Sequence, residues 1–228
     1  MIASLASQAR RLARALRGKG SARRTPGAAQ GRPVAAVLLS DPRRLPDPTA
    51  CLDALPRGGL VVVRAHGLPA AEGVALAVRL GRRARRLGLR VALAASGPWP
   101  PLPRGLDGVH LPEGVARRVP LARVLLWRRA GAGRILCCAA HGAAGLARAR
   151  ALKASVVMLS PVFPTRSHPG APGLGPLRAA LLAAGGRKRP GPRVMALGGV
   201  NTRTARRLPP GALGGVAAIE GWAEGERA

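Results

Sequence analysis

From Val34 onward, short apolar runs alternate with Ala/Arg/Leu-rich stretches, and this rhythm restricts the fold more than any single motif does. Runs of Val, Leu, Ile and Ala suit strands buried on both faces, as in parallel sheets. Strands are expected near 34–39, 60–64, 90–94, 108–111, 134–139, 155–160, 193–197 and 215–219. Helices are expected near 48–55, 69–87, 113–127, 143–151, 176–184 and 202–208. The stretch 97–106 (Gly-Pro-Trp-Pro-Pro-Leu-Pro-Arg-Gly-Leu) is too rich in proline for a full helix, so the third crossover should be short or irregular. Eight strands with intervening helices read as an α/β chain folding into a single (β/α)₈ TIM barrel over residues 34–228. An open doubly wound sheet is the rival, but no GxGxxG follows the first strand.

Residues 1–33 stand apart as a short basic N-terminal extension. They carry Arg10, Arg11, Arg14, Arg17, Lys19, Arg23, Arg24 and Arg32 and no acid. Leu5, Ala9, Leu12 and Leu16 recur at helical spacing, so an amphipathic helix is expected before a Gly/Ser/Pro-rich stretch, either capping the barrel bottom or forming a disordered tail. The apolar face is small and lacks Trp or Phe, which speaks against a membrane-surface anchor. No run reaches the roughly 18–20 apolar residues of a membrane span, and no signal-peptide core opens the chain. Three cysteines, Cys51 and the adjacent Cys137 and Cys138, make poor material for a disulfide framework, so a cytoplasmic location is expected. They also lack the CxxC spacing of a zinc site.

The formal net charge is +29, and all but three of the basic residues are Arg. Such a charge attracts polyanions without specificity. Yet no nucleic-acid motif, zinc-finger spacing or aromatic platform accompanies it, so no specific nucleic-acid partner is expected. Solvated helix faces account for most of the arginines.

Function is written mainly in two loops. Val156-Val-Met-Leu159 runs into Ser160-Pro-Val-Phe-Pro-Thr-Arg-Ser-His-Pro-Gly170, and Val194-Met-Ala-Leu197 runs into Gly198-Gly199. Both loops would lie at the carboxyl ends of parallel strands, where barrels place their chemistry. Glycines let backbone amides approach a ligand and hydroxyls add short-range donors, which together suit a phosphate. The histidines point to the same end: His66, His110, His141 and His168 each fall at or near the end of an expected strand, His110 being the one best explained as structural. Acids are scarce, with none between Gly114 and Ile219. Asp41, Glu113 and Glu220 come from separated strands, so no dedicated metal cage is expected.

These segments resemble the thiamine phosphate synthase and thiazole tautomerase family over roughly Val34 to Gly221. Leu39-Ser-Asp-Pro42 resembles the family's first-strand ending and Asp107-Gly-Val-His-Leu111 its fourth strand. Ala139-Ala-His141 is similar to Ser-x-His, Ser160–His168 to Gly-Pro-x-Phe-x-Thr-x-Thr-Lys, and Ala196-Leu-Gly-Gly-Val200 to the phosphate loop. Gly215-Val-Ala-Ala-Ile219 resembles the last strand, whose backbone also helps hold phosphate. The resemblance implies thiamine biosynthesis: a transferase that joins a pyrimidine diphosphate to a thiazole phosphate, with Mg²⁺ on the departing pyrophosphate.

The departures from that pattern bear on mechanism. Only Arg64 of the family's Gln-x-Arg-Glu-Lys remains in Val62-Val-Arg64-Ala-His66, and Ala95-Ser96 replaces Asn-Asp. His168 stands where the family has Lys, Ala139 where it has Ser, and Val115 near the family's acid after strand four. Mg²⁺ therefore enters only if synthase chemistry is retained. The tautomerase branch, which the resemblance implies works without metal, uses a histidine at the position of His141. A non-catalytic binder of thiamine-type phosphates is the third reading. The expected catalytic residues are His141, His168, Arg64 and His66, and the expected phosphate contacts are Thr165, Ser167, Gly198, Gly199, Gly215 and Val216. Expected partners are phosphorylated thiazole and pyrimidine small molecules, with homo-oligomer formation left open. Glu220, beside the expected phosphate loop, would repel such a ligand unless it points away or is neutralised.

Overall fold

Strand formation follows the apolar runs closely. In the computed structural model the strands are β1 (Ala36–Leu39), β2 (Leu60–Val63), β3 (Arg90–Ala94), β4 (Gly108–Leu111), β5 (Ile135–Ala140), β6 (Val156–Leu159), β7 (Arg193–Ala196) and β8 (Gly215–Ala218). All neighbours pair in parallel, and β8 closes on β1 through Ala36↔Val216 and Leu38↔Ala218, giving a closed eight-stranded barrel. The structure describes residues 4–18, 33–45, 47–65, 67–95, 97, 104–131, 133–167, 170, 172–185 and 191–226.

Period-two alternation sorts the strand residues into two cores. Val37, Leu39, Leu60, Val62, Cys137, Val156, Met158, Met195 and Ala217 fill the barrel interior. Leu38, Val61, Val63, Val91, Val109, Leu136, Val157, Leu159 and Val216 face outward against the helices. The floor of the barrel is closed by Arg193. Its Nε donates to the carbonyl of Val34 at 2.8 Å and a terminal nitrogen to that of Gly214 at 2.9 Å. Burial, with Arg17 adding to it, draws this guanidinium down to about 10.

The α-helices are α1 (Leu5–Gly18), α2 (Ala70–Arg86), α3 (Glu113–Arg118), α4 (Leu121–Arg129), α5 (Ala143–Ala151) and α6 (Pro176–Ala184). The helix expected over 113–127 is two, because Pro120 cannot continue α3 and instead caps α4. The segments expected as helices near 48–55 and 202–208 are short 3₁₀ turns at Pro48–Leu52 and Thr204–Arg207. Of the irregular third crossover, residues 98–103 lie outside the described residues.

Helix α1 does not cap the barrel floor. It lies along the outer wall of β8 and touches the 3₁₀ turns at 204–207 and 220–226. Leu5, Ala9, Leu12, Ala13 and Leu16 are buried there, and Arg11 donates to the carbonyls of Ala205 (3.2 Å) and Leu208 (3.1 Å). Among the described residues only a 3₁₀ turn follows β8, so the first helix of the chain covers the wall that an eighth crossover helix would otherwise cover.

Candidate active site

Short parallel strands of four to six residues bring their carboxyl ends to one rim, and the loops beyond them enclose a cavity of about 950 Å³. That size lies at the upper end of small-molecule pockets. The loops after β1, β2, β4, β5, β6, β7 and β8 all contribute to its lining.

The loop after β7 is held against the loop after β6 by backbone contact. Val162 N–H donates to the carbonyl of Leu197 at 2.8 Å, and Phe163 N–H to that of Gly198 at 3.0 Å. Gly198 and Gly199 have φ of +87° and +62°, and a Cβ on either would press into Pro161 or Pro164. Only glycine meets both demands. Asn201 and Thr204 brace the far side of the turn. Asn201 Oδ1 accepts from the Arg203 and Thr204 amides at 3.0 and 2.9 Å, while the Thr204 hydroxyl donates to the Gly199 carbonyl at 2.8 Å. Among the described residues nothing accepts from the amides of Gly198, Gly199 or Val200, which leaves a run of donors on the cavity wall.

His141 follows β5 directly. Its Nδ1 lies 2.8 Å from the Ser160 carbonyl, and a carbonyl oxygen only accepts, so Nδ1 carries the proton. Neutral His141 therefore holds its lone pair on Nε2, the atom 4.0 Å from Glu113 Oε2. Glu113 is 8% exposed; its Oε2 accepts the His141 backbone amide at 2.7 Å and its Oε1 is paired with Arg117. The acid thus fixes both the backbone and the electrostatic setting of the histidine.

Across the barrel, Arg64 follows β2. Its backbone is pinned by Ser40, whose hydroxyl accepts the Arg64 amide at 2.8 Å and donates to the Arg64 carbonyl at 3.3 Å. Burial lowers the affinity of its guanidinium for its proton, against the pull of Asp41. Asp41 sits 3.7 Å from Arg64 and 3.0 Å from Arg44. Partial burial works to raise its carboxyl, but hydrogen bonds from Arg44 and Arg43 outweigh that and leave it below the usual carboxylate value. Glu220 is neutralised by Arg166 at 2.7 Å across the gap between the β6 and β8 loops, which removes the repulsion expected of it. Each rim carboxylate is thus tied to at least one arginine.

Thr165, Ser167, Gly198, Gly199, Arg64 and His141 all line this cavity. Gly215 and Val216, also expected as phosphate contacts, are not among the residues that line it. They open β8 at its amino end, three and two residues (roughly 7–10 Å) before Ala218 at the rim. Gly215 instead allows close packing, since a Cβ there would lie 1.9 Å from the Ala35 carbonyl oxygen. Ala218, Ile219, Glu220 and Gly221 take the place assigned to them at the mouth. His66 and His168 lie outside the described residues. His110, expected to be merely structural, faces inward and lines the cavity floor.

Sequence reasoning missed Asn201, Thr204, Arg43, Arg44 and Arg207, which stacks over Phe163 at 5.5 Å. The Asn-x-x-Thr spacing that caps the turn was a usable signal.

The donor set does not fit Mg²⁺. Among the described residues, Asp41, Glu113 and Glu220 are the carboxylates that line the rim; they follow separate strands, and each is engaged by an arginine. Among the described residues no three His, Cys, Asp or Glu side chains converge as a metal site.

A model of the family described as thiamine monophosphate synthase matches residues 37–221. Among solved structures, the chain is similar to thiamine phosphate pyrophosphorylase from Pyrococcus furiosus, with a TM-score of 0.60 and 17% identity over 81% of this chain and 85% of that one. It is also similar to a cube-shaped, highly porous protein cage designed by fusing symmetric oligomeric domains, with a TM-score of 0.51 and 16% identity over 84% of this chain and 64% of that one. At these identities the structural likeness shows the fold. No curated protein matches. Among the described residues no helix is long and apolar enough to cross a membrane.

Proposed function

The chain belongs to the thiamine monophosphate synthase family, and we propose that its barrel mouth joins a pyrimidine diphosphate to a thiazole phosphate, forming thiamine phosphate and releasing pyrophosphate. The supporting observation is that one cavity carries two walls suited to anions: the amide loop of Gly198–Val200 and, across the barrel, Arg43 and Arg44 after β1 with Arg64 after β2. A condensation of two phosphorylated rings uses both walls, one for each ligand. In this reading the Gly198–Val200 amides, with the Thr165 and Ser167 hydroxyls, hold the thiazole's phosphate, and Arg64 meets the diphosphate. The carbon–oxygen bond at the pyrimidine methylene breaks with its electron pair passing to pyrophosphate. The thiazole nitrogen then supplies the pair for the new carbon–nitrogen bond. The protein contributes placement and charge neutralisation rather than a covalent intermediate. The setting is the cytoplasm, and the partners are phosphorylated small molecules.

A second reading rests on His141 alone. With Nδ1 held by the Ser160 carbonyl, its Nε2 is placed as a base that could take a proton from a thiazole phosphate carboxylate and return it elsewhere on the ligand. The deciding experiment is thiamine phosphate formation by purified protein given both phosphorylated precursors. Product formation is expected. If calorimetry shows both precursors bound and no product appears, the synthase reading falls. A thiazole isomerisation that survives EDTA and disappears in His141→Ala would then establish the second.

A further inference from the structure

We propose that Arg43, Arg44 and Arg64 form a diphosphate subsite that works without a divalent cation. The identity of the ligand rests on the synthase reading; the location of the subsite does not. Arg43 and Arg44 leave the chain two and three residues after Asp41, and the position of both is set by that acid. Asp41 Oδ1 accepts the backbone amides of Arg43 (3.1 Å) and Arg44 (3.2 Å), and Oδ2 takes the Arg44 guanidinium at 3.0 Å and lies 3.7 Å from that of Arg64. Asp41, which itself lines the cavity, therefore holds the arginines in place beside it. One carboxylate against three guanidiniums leaves a net excess of positive charge on a cavity wall.

The geometry is built rather than incidental. Ser40, 2% exposed, clamps the Arg64 backbone from both its amide and its carbonyl, and only about a quarter of the Arg64 and Arg44 side chains is exposed. A guanidinium presents up to five N–H donors, and the contacts with Asp41 use few of them. Planar forks of this kind match phosphate oxygens in pairs, as a hydrated cation does by charge alone. Mg²⁺ would need carboxylates that this rim lacks or has already committed to arginines; guanidiniums need none. The cluster thus supplies the neutralisation of a departing pyrophosphate from protein charge.

Calorimetric titration of the full chain with inorganic pyrophosphate in EDTA, at physiological ionic strength, tests this. The parent protein should bind. Arg43→Ala/Arg44→Ala should weaken binding about tenfold or more, as expected for lost charge-assisted hydrogen bonds. Arg82→Ala/Arg86→Ala, which removes the same charge from the exposed face of α2, should leave the affinity unchanged and so excludes non-specific attraction by a highly basic chain. Arg44→Lys, which keeps the charge and loses the fork, should fall between the parent and the double variant, and it serves if the double variant unfolds. Pyrophosphate binding that appears only on adding Mg²⁺, or equal behaviour of the two double variants, overturns the proposal. Metal-free binding lost in Arg43→Ala/Arg44→Ala, with no thiamine phosphate formed by the parent, would retain the subsite and discard the synthase reading. Thiamine phosphate formation with pyrophosphate affinity unaltered by the variant would do the reverse.

Discussion

Gly199→Ala asks whether the turn after β7 is shaped by backbone conformation and close packing together. The residue has φ +62°, a conformation that costs an L-residue about 1–2 kcal/mol. The new methyl would also lie 2.4 Å from the Pro164 carbonyl oxygen and 2.8 Å from Phe163 Cβ. The Pro164 oxygen is backbone, so relief requires moving the β6 loop, and overpacking of this kind costs about 1–3 kcal/mol. The sum is a loss of about 2–5 kcal/mol. At about 2–4 °C per kcal/mol for a chain of this size, the melting temperature should fall by roughly 4–20 °C. Thermal unfolding followed by circular dichroism reads this directly, and Gly114→Ala is the matched control. Gly114 lies in α3 with nothing within 4 Å of its missing Cβ, so the same change there should gain up to about 1 kcal/mol from helix propensity. Opposite signs for one chemical change are the expected result. A Gly199→Ala variant melting within about 2 °C of the parent, or moving in the same direction as Gly114→Ala, would refute the reasoning.

Leu12→Ala empties a fully buried position where α1 meets the outer wall of β8, and should cost about 2–5 kcal/mol in urea unfolding. A negligible loss would mean that α1 is not part of the folded barrel. Cys137 and Cys138 are both 0% exposed; burial drives the Cys137 thiol above its usual range, the neighbouring Cys138 adding to it, and pushes Cys138 up to about 12. An aromatic disulfide reagent at mildly alkaline pH should therefore leave both untouched in the folded protein and titrate all three cysteines after denaturation; prompt native reaction of either adjacent thiol would contradict the strand assignment of β5.

Most of the barrel was legible because parallel strands buried on both faces need unbroken apolar runs, and this chain writes each as Val, Leu and Ala between glycines and prolines. Boundaries failed where two rules competed. Pro120 splits an otherwise continuous Ala/Arg/Leu stretch, and the runs at 48–55 and 202–208 close as single 3₁₀ turns. The loops of Thr165, Ser167, Gly198 and Gly199 were legible from their Gly/Pro punctuation. Gly215 and the Gly198–Gly199 pair look alike in sequence; only the approach of the Ala35 carbonyl shows that Gly215 serves close packing at the start of β8. Arg43 and Arg44 were hidden by abundance. In a chain with so many arginines, two more carry no signal until Asp41 is seen to hold both backbones and the Arg44 guanidinium beside the cavity.

The same abundance bears on how such a mouth works. A rim that relies on a cation needs carboxylates to anchor it, and those carboxylates oppose an anionic ligand whenever the cation is absent. Here the anchoring acids are few, and each that reaches the rim is matched by arginine: Asp41 by Arg44 and Arg64, Glu113 by Arg117, Glu220 by Arg166. The acids hold guanidiniums and the His141 backbone in place. Under the metal-free proposal such a mouth is electropositive before any ligand arrives, and attraction of a diphosphate should fall with salt rather than with chelator. That distinction, salt against EDTA, separates the metal-free chemistry proposed for this barrel from a metal-assisted one on the same fold.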